Sequence, residues 1–574
     1  MPSPSPEDAR AGAAAQLKAL FDEQWESWMR ESPTWASSLG DRRWNDRWPD
    51  SSPEAIARRD AEAQLLLKRL RAIDTALLDP LDTLNRDLCE RSLLESIEEH
   101  RLRAYLLALD MRSGLQTANE TTESLRLANV KDYADWITRL ERFGPYADQN
   151  IALLAEGVRV GLVQPKIIMT RVPDQIAAHV VDDPHASPFW HVFEHMPDDI
   201  APADRDRLRT RAEAALRDVV VPAYRRFQRF FLDTYLPACR DTVGCSAMPG
   251  GAELYAFRAR QMTTTDLTPR QIHDIGLKEV ARIRAEMDAV IASTGFKGSF
   301  AEFLQFLRTD PRFFAKTPEE LFMRYQALAK RIDPEIVKVV GKLPRMPYGV
   351  KAIPDESAPD TTTAYYLEGA ADGSRAGTYY VNLYKPEARP LWEMMALSLH
   401  EAVPGHHLQI SLAHEQGDLP NFRRYTGYTA FVEGWGLYSE SLGEDMDLYD
   451  DPYSKFGQLT YEMWRAVRLV VDTGMHALGW DRQRAIDFFK ANAAKSELDI
   501  VNEIDRYIGW PGQALAYKVG ELKIKELRAR AATRLGTRFD LRAFHDVVLG
   551  SGAIPLDALE RNVDAWIAAT AAAK

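Results

Sequence analysis

Apolar residues recur at helical spacing over most of the chain. Apolar positions three and four residues apart place a hydrophobic stripe on one face of each helix and leave polar residues on the other. Turn signals separate these segments at irregular intervals, and no repeat of fixed period is visible. The pattern predicts a mainly α-helical protein. Long amphipathic helices are predicted at residues 10–30, 53–77, 81–112, 202–235 and 268–293.

One stretch, residues 335–383, departs from the helical pattern. Three short runs within it are rich in β-branched and aromatic residues and are separated by Pro and Gly, which is typical of strands joined by turns. We therefore predict a small β-sheet inside a helical protein. The three runs are 336–340, 363–367 and 377–383.

Long helices resume after the sheet, and Pro390 stands at the first turn of a predicted helix at 390–414. The strongest interior turn signal is the run MPGG at 248–251, so we place a soft domain boundary near residue 250. We expect two lobes of one body. They are an N-terminal helical lobe at 1–250 and a C-terminal lobe at 251–574, which contains the small sheet (335–383) and the helices that carry the candidate chemistry (390–447).

Charge and length narrow the classes of function. Lys and Arg number 72 against 84 Asp and Glu, so the net charge is −12. A chain with this balance lacks the positive field that attracts phosphate backbones, and we expect no nucleic-acid partner. A chain of 574 residues buries enough surface to fold without disulfides or a partner.

Cysteine content and the N-terminus bear on location. The chain has 3 Cys, too few for a four-Cys zinc site, and a Cys239–Cys245 bridge is expected only if the protein is exported. The N-terminal residues include acids and prolines where a signal peptide carries basic and then apolar residues. No run of about 18 apolar residues is present, so we expect no membrane span. We predict a cytoplasmic protein, or a periplasmic one if a leader was removed from a longer precursor.

The clearest chemical signal lies at residues 399–409, which read LHEAVPGHHLQ. His400 and Glu401 begin like the HExxH helix of zinc proteases, in which two His four residues apart chelate the metal and the Glu activates water. The position of the second His holds Pro404. The candidates for the second ligand are therefore His406 and His407, six and seven residues after His400.

Neither spacing suits an undistorted helix. Six residues point to a different face, and seven residues rise about 10.5 Å, too far for two imidazoles to share one ion. Either pairing requires a distortion, and Pro404-Gly405 supplies one, because Pro removes a backbone hydrogen bond and Gly tolerates unusual dihedral angles. The alternative is a helix that stops at Pro404 and is followed by surface histidines.

A metal held by two His needs a third protein ligand and an open position for water. Glu433 lies among apolar and aromatic residues of the next predicted helix, and a Glu is rarely buried without a partner. Glu440 lies two turns further along the same helix face. It is either a solvent-exposed acid or the hydrogen-bond partner that orients a ligand His.

Three blocks of the sequence together resemble the bacterial domain-of-unknown-function 885 family, and the resemblance extends over nearly the whole chain. That family looks like a distant relative of the helical zinc peptidases, which include angiotensin-converting enzyme, thimet oligopeptidase and similar bacterial carboxypeptidases. The blocks are HEAVPGHHLQ at 400–409, EGWGLYSE at 433–440 and RYIGWPGQALAYKVG at 506–520.

The resemblance implies a two-lobed helical body with a deep cleft and assigns roles to particular residues. His400 and Glu433 would be zinc ligands, and His406 is favoured over His407 because the second His of those peptidases follows a Gly. A C-terminal Tyr would donate a hydrogen bond to the oxyanion, with Tyr517 as first choice and Tyr507 as second. The strand at 377–383 resembles the edge strand that pairs with substrate beside the metal helix.

These features predict a zinc-dependent hydrolase that cleaves short peptides, with Glu401 as general base and Zn²⁺ as cofactor. A carboxypeptidase or dipeptidase needs a cation that binds the terminal carboxylate of its substrate. The candidates are Arg465, Arg468, His476 and Arg506. One alternative is a metal-dependent amidase or C–N hydrolase acting on a modified amino acid. Another is a metal-free peptide-binding or scaffold protein descended from a peptidase. The sequence does not indicate an oligomeric state.

Overall fold

The computed structural model describes residues 5–355, 358, 362–369, 375–417 and 419–573. These residues form a mainly helical protein with a three-stranded sheet, which confirms the predicted fold class. Contacts divide the chain into two compact units, one of Met1–Leu254 with Pro420–Phe422 and one of Tyr255–Leu419 with Arg423–Lys574. The deep cleft stays a prediction. Parts of the predicted sheet segment, 356–357, 359–361 and 370–374, lie outside the described residues.

The first unit consists of helices that commonly begin with a capping side chain and a Pro in the first turn. Ser5 and Ser52, for example, each accept a backbone hydrogen bond from the first turn of the helix that follows. The helices in chain order are α1 (Pro6–Glu31), α2 (Pro33–Ser38), α3 (Pro53–Arg71), α4 (Pro80–Arg101), α5 (Val130–Glu141), α6 (Phe143–Val160), α7 (Lys166–Met169), α8 (Val172–Ala177), α9 (Pro202–Ala215), α10 (Val221–Phe230), α11 (Leu236–Ala238) and α12 (Gly251–Thr263), the last of which spans the boundary between the units.

The predicted helix at 202–235 is confirmed, with two local departures from α geometry. Leu216–Val220 and Phe231–Tyr235 are π-helical turns within one helical run from Pro202 to Ala238. Pro222 and Pro237 follow these turns. Because Pro lacks the N–H of the regular ladder, a wider turn before it is a common accommodation.

Two other predicted helices end earlier than expected. α3 stops at Arg71, where 53–77 was predicted, and a separate 3-10 turn covers Thr75–Leu77. α4 stops at Arg101, where 81–112 was predicted. Arg103 has a left-handed backbone with φ of 55°, and that conformation cannot continue a right-handed helix.

The second unit is built around one long buried helix, α20 (Pro452–Ala477), whose side chains are buried along almost its whole length. A Cβ on Gly276 of α13 (Pro269–Ser293) would lie 2.7 Å from Leu469 of α20, so these two helices pack in close contact. The remaining helices are α13 (Pro269–Ser293), α14 (Phe300–Thr309), α15 (Pro318–Ile332), α16 (Met394–Glu401), α17 (His406–His414), α18 (Asn421–Tyr425), α19 (Thr429–Asp445), α21 (Arg482–Asn492), α22 (Glu497–Gly509), α23 (Ala516–Leu535), α24 (Leu541–Leu549) and α25 (Leu556–Ala572).

The sheet comprises β1 (Tyr348–Ala352), β2 (Ala364–Leu367) and β3 (Gly377–Val381) in the order β1-β3-β2. β3 is parallel to β1 and antiparallel to β2. The predicted runs at 363–367 and 377–383 are confirmed as β2 and β3. The expectation that 377–383 forms an edge strand is wrong, because β3 lies between the other two and β2 occupies the edge.

The predicted strand at 336–340 is also wrong, since Glu335–Lys338 is a 3-10 helix. Ile336, Val339 and Val340 are buried, while Val337 is 50% exposed. This spacing of three and four is a helical period that the β-branched composition had obscured. β1 was missed, although its burial alternates over the first residues.

The longest helices, α1, α13 and α20, have 25 or 26 residues. Within the described part of the chain, no helix combines the length and the apolar character needed to cross a membrane. This finding agrees with the prediction of no membrane span.

Candidate metal centre

The predicted helix at 390–414 is two helices with a sharp break between them. α16 ends at Glu401 and α17 begins at His406, and Ala402 and Gly405 have backbone angles outside the helical region. The Val403–Pro404 peptide bond is cis. The distortion that the sequence predicted at Pro404-Gly405 is therefore present as a full interruption of the helix.

A steric limit at Gly405 and a hydrogen bond from Trp435 define the geometry of this break. A Cβ on Gly405 would lie 1.8 Å from the backbone oxygen of His400, so only Gly fits where the chain turns back on α16. The indole Nε1 of Trp435, a fully buried residue of α19, donates a 2.8 Å hydrogen bond to the carbonyl oxygen of Pro404. The turn is thereby tied to the helix that carries Glu433.

The break brings His400 and His406 to one point. Their imidazole centroids are 4.7 Å apart with the rings perpendicular. The Nε2 atom of each lies 3.6 Å from Oε2 of Glu433. One ligand atom from each of the three residues lies within 4.8 Å of the other two. We call these three residues the His–His–Glu cluster.

The His–His–Glu cluster fits a zinc ion in spacing and in chemistry. Ligands 2.0–2.2 Å from a tetrahedral zinc are separated by about 3.4 Å, close to the 3.6 Å between each Nε2 and the carboxylate. Two His and one Glu also form a known donor set of catalytic zinc sites with an open fourth position. His400 is 3% exposed, while the Glu433 side chain is 22% exposed, so the cluster is reached from the Glu433 side.

Glu440 orients His400. Its Oε1 lies 2.8 Å from Nδ1 of His400, so Nδ1–H donates to the carboxylate, and in the neutral ring that binds a metal the lone pair is on Nε2, which faces the cluster. Glu440 is fully buried, and Nη2 of Arg465 lies 3.8 Å from the same oxygen. Of the two interpretations of Glu440 from sequence, the solvent-exposed acid is wrong.

Neighbouring charges shift the pKa values of His400 and Glu433 in opposite directions. Burial lowers the pKa of His400, but Glu433, Glu440 and Glu401 outweigh burial and raise that pKa to about 9. Burial raises the pKa of Glu433, yet its contacts with His400 and His406 hold the pKa well below its usual value. Without a metal, His400 is therefore a cation paired with acids on both sides.

Glu401 lies beside the cluster and under the sheet. Its Oε2 accepts a 3.1 Å hydrogen bond from the backbone N–H of Tyr366 in β2. Burial raises the pKa of Glu401, while His400 and His406 act in the opposite direction. A carboxyl group with a raised pKa is suited to taking and returning a proton near neutral pH.

Gly436 makes room for both imidazoles. A Cβ at this position would lie 2.9 Å from Cε1 and Nε2 of His400 and 3.1 Å from Cε1 of His406. Gly434, two residues earlier and on another face of α19, makes room for α23, since its Cβ would lie 2.6 Å from Cα of Gly520. Sequence reasoning missed both roles. The available signal was two Gly inside a helix, each of which costs about 1 kcal/mol relative to Ala unless packing requires it.

His407 points to the sheet and not to the cluster. Its Nδ1 lies 2.9 Å from the hydroxyl of Tyr366 and 3.3 Å from that of Ser411. Its ring also packs against Tyr348 of β1 with centroids 4.8 Å apart. Burial lowers the pKa of His407 to about 4, so it remains neutral. Of the two candidates for the second ligand, the structure places His406 in the cluster.

The two candidate tyrosines lie in different surroundings. Burial and the charge of Glu433 raise the pKa of Tyr517, while the charges of Arg468 and Arg506 and a hydrogen bond with Gln513 act in the opposite direction. The Tyr507 hydroxyl donates to Glu503 at 2.5 Å and accepts from Nε of Arg468 at 2.7 Å. Its hydrogen is therefore already committed to a carboxylate.

The four predicted carboxylate-binding cations are all buried, but their partners differ. Nη2 of Arg465 faces Glu440 at 3.8 Å, and Nε2 of His476 contacts the backbone oxygen of Tyr507 at 2.9 Å. Arg506 forms hydrogen bonds through Nε and Nη2 to Glu503 and through Nη1 to Gln513. The fourth cation, Arg468, forms hydrogen bonds through Nε and Nη2.

Comparison with known proteins identifies the family. Residues 33–563 match the model of a family described as "Bacterial protein of unknown function (DUF885)". The chain belongs to the DUF885 family. The resemblance drawn from the three sequence blocks is thus confirmed for this DUF885 protein.

Two solved structures share its fold. One, described as "the putative lipoprotein from Colwellia psychrerythraea", is 30% identical to the DUF885 protein, with a TM-score of 0.89 over 97% of this chain and 99% of that chain. The other, "a putative lipoprotein of unknown function from Shewanella oneidensis", is 17% identical, with a TM-score of 0.74 over 96% of this chain and 99% of that chain. At 17% identity, the second comparison shows the fold alone. No curated protein matches the DUF885 protein significantly.

Proposed function

We propose that this protein is a zinc-dependent hydrolase that cleaves peptide bonds in short peptides. The observation that carries the proposal is the His–His–Glu cluster, in which an interrupted helix still brings two imidazoles and a carboxylate to one point beside Glu401. A structural histidine pair would not need a Gly beneath both rings and a buried acid behind one of them.

The metal and each surrounding residue would have a distinct role in the reaction. Zinc would supply a Lewis acid that polarises the scissile carbonyl and lowers the pKa of water. Glu401 takes the proton from the attacking water and returns it to the leaving amine. Tyr517 donates a hydrogen bond to the carbonyl oxygen as negative charge develops on it. Glu440 holds His400 in the tautomer that leaves Nε2 free to bind metal.

The edge strand β2 supports a peptide as the substrate. The N–H of Asn382 donates to the carbonyl oxygen of Thr363 at 3.0 Å, so the backbone of Thr363 faces β3. Because backbone direction alternates along an antiparallel strand, Tyr365 also faces β3, whereas Ala364 and Tyr366 direct their N–H and C=O groups away from it. The N–H of Tyr366 accordingly reaches Glu401. A peptide that adds to this edge as another strand would pass beside the His–His–Glu cluster.

The test is hydrolysis of a library of short peptides by the zinc-loaded protein. We expect chelation to abolish cleavage and added zinc to restore it. Glu401→Gln should retain zinc and the fold but lower the turnover number about 10²-fold or more, because only proton transfer is removed.

Glu444→Gln is the matched control, because its side chain is 58% exposed on α19. This variant should have wild-type turnover. Cleavage that survives chelation, or a Glu401→Gln variant as active as Glu444→Gln, would show that the proposed chemistry is wrong.

The cell envelope is the location that the comparisons favour. The Colwellia psychrerythraea relative, at 30% identity, is described as a lipoprotein, which supports the periplasmic alternative over the cytoplasmic one. Fractionation of the native cells followed by immunoblotting tests this. Recovery of the protein solely from the cytoplasm would refute it.

A further inference from the structure

Arg468 on α20 is a buried cation with one unused donor group. The residue is 4% exposed. Its Nε donates to the hydroxyl of Tyr507 at 2.7 Å and its Nη2 to Glu503 at 3.0 Å. Within the described part of the chain, Nη1 is buried and has no hydrogen-bond partner. Buried polar groups normally have partners, so an orphaned guanidinium nitrogen calls for an explanation.

The charges around Arg468 do not balance. Arg468 and Arg506 share the carboxylate of Glu503, to which both donate. Asp472, one turn along α20, is occupied by the hydroxyl of Tyr255 and the backbone N–H of Gly512. Burial raises the pKa of Asp472 to about 7, so its carboxyl group is only partly ionised at neutral pH. Two guanidinium groups thus share the carboxylate of Glu503, and an anionic ligand at Arg468 would lower the cost of burying the second positive charge.

The Tyr517 ring connects Arg468 with the helix that carries Glu433, because Tyr517 lies about one turn before Gly520 on α23 and Gly520 packs against Gly434, the neighbour of Glu433. The Arg468 guanidinium lies 4.5 Å from the centroid of the Tyr517 ring and 4.8 Å from that of Trp464. Arg465, one turn earlier on α20, lies 5.9 Å from the same Tyr517 ring. Arg465 also lies 3.8 Å from Glu440, the partner of His400.

The rings of Tyr517 and Trp464 lie against the guanidinium of Arg468. The two aromatic rings beside the guanidinium exclude water and strengthen its hydrogen bond to an anion.

We propose that Arg468 binds the free C-terminal carboxylate of the substrate, so that the protein acts near the C-terminal end of a short peptide. This inference rests on the proposed function, because it takes the peptide bond to lie at the His–His–Glu cluster. Nη1 supplies the donor, and Glu503 and Tyr507 hold the guanidinium in place.

The test compares the tripeptide Ala-Ala-Phe with its C-terminal amide. Binding is measured by calorimetry on Glu401→Gln, in which the chemistry is blocked, and hydrolysis on the wild type. We expect the free acid to be favoured about 10- to 100-fold in both assays, the range for a hydrogen bond between charged groups. Arg468→Gln should reduce this preference to near unity by raising KM for the acid, with the amide unaffected. Arg468→Lys should restore part of it.

Arg270→Gln is the control, because the Arg270 side chain is 68% exposed on α13 and pairs with Asp274. It removes one Arg without changing the partners of Arg468, so the preference for the acid should survive. Hydrolysis of acid and amide at equal rates would overturn the inference while leaving the proposed function intact. Preferential binding of the acid without hydrolysis would support the inference and refute the proposed function. Equal binding, or no binding of either peptide, would overturn the inference.

Discussion

Gly436→Ala tests whether the two imidazoles are held where a metal requires them. The added Cβ would lie 2.9 Å from Cε1 and Nε2 of His400 and 3.1 Å from Cε1 of His406. Ordinary contacts of this kind begin at about 3.5 Å, so the rings must retreat by about half an ångström. Metal–ligand distances tolerate only about 0.2 Å. We therefore expect the zinc Kd to rise about 10- to 100-fold, as for other changes to the support of a metal ligand.

The fold itself should survive this substitution. Ala is favoured over Gly in a helix by about 1 kcal/mol. In the metal-free protein this gain offsets part of the steric cost of the added Cβ. The assay is competition for zinc with a chromophoric chelator, alongside thermal melting. Gly12→Ala is the control, because Gly12 lies in α1 and a Cβ there would meet nothing within 4 Å. A zinc Kd of Gly436→Ala within a factor of two of wild type would refute this reasoning.

Three further predictions concern the ligands and the tyrosines. His406→Ala should lose bound zinc while His407→Ala retains it, and elemental analysis of the pair checks this. Tyr517→Phe should lower kcat about 10²- to 10³-fold with little change in KM. Tyr507→Phe should keep the wild-type kcat and melt at a lower temperature, because the buried Glu503 and Arg468 each lose a hydrogen bond. Because the pKa of His400 is about 9 without metal and zinc needs the neutral ring, zinc affinity should rise about tenfold per pH unit between about pH 7 and 9. Calorimetry in two buffers should detect the released proton, and a pH-independent affinity would contradict this assignment.

The sequence was informative about the cluster because the residue types constrain the geometry. Pro404 excludes the HExxH spacing, and helix geometry shows that neither His406 nor His407 can meet His400 without a distortion. The family resemblance favoured His406, and only three-dimensional contacts show how the chain brings it to His400. The carbonyl of His400 leaves no room for a Cβ at position 405, and Trp435 ties the turn to α19.

The sheet shows where local patterns fail. The apolar run 336–340 was predicted as a strand from composition, but its buried residues follow a helical period. The residues of β3 would suit an edge strand or a central strand. Its central position depends on pairing with β1, which a local sequence pattern does not predict. Consequently the edge beside Glu401 belongs to β2, which is the strand whose N–H reaches that carboxylate.

The tyrosines show the same limit at the site. Tyr507 and Tyr517 occur in one block with similar neighbours in the sequence. Only the fold shows that the Tyr507 hydroxyl is hydrogen-bonded to Glu503 and Arg468. The charge of Glu433, by contrast, helps to raise the pKa of Tyr517.

The metal content of the protein tests the central claim most directly. The protein is expressed, purified without added zinc or chelator, and measured by elemental analysis beside Glu433→Ala. The account predicts about one zinc ion per wild-type chain and almost none in the variant, because two His alone hold the ion weakly. A wild-type chain that carries no zinc and takes up none when zinc is supplied, or a Glu433→Ala variant that retains it, would contradict the account.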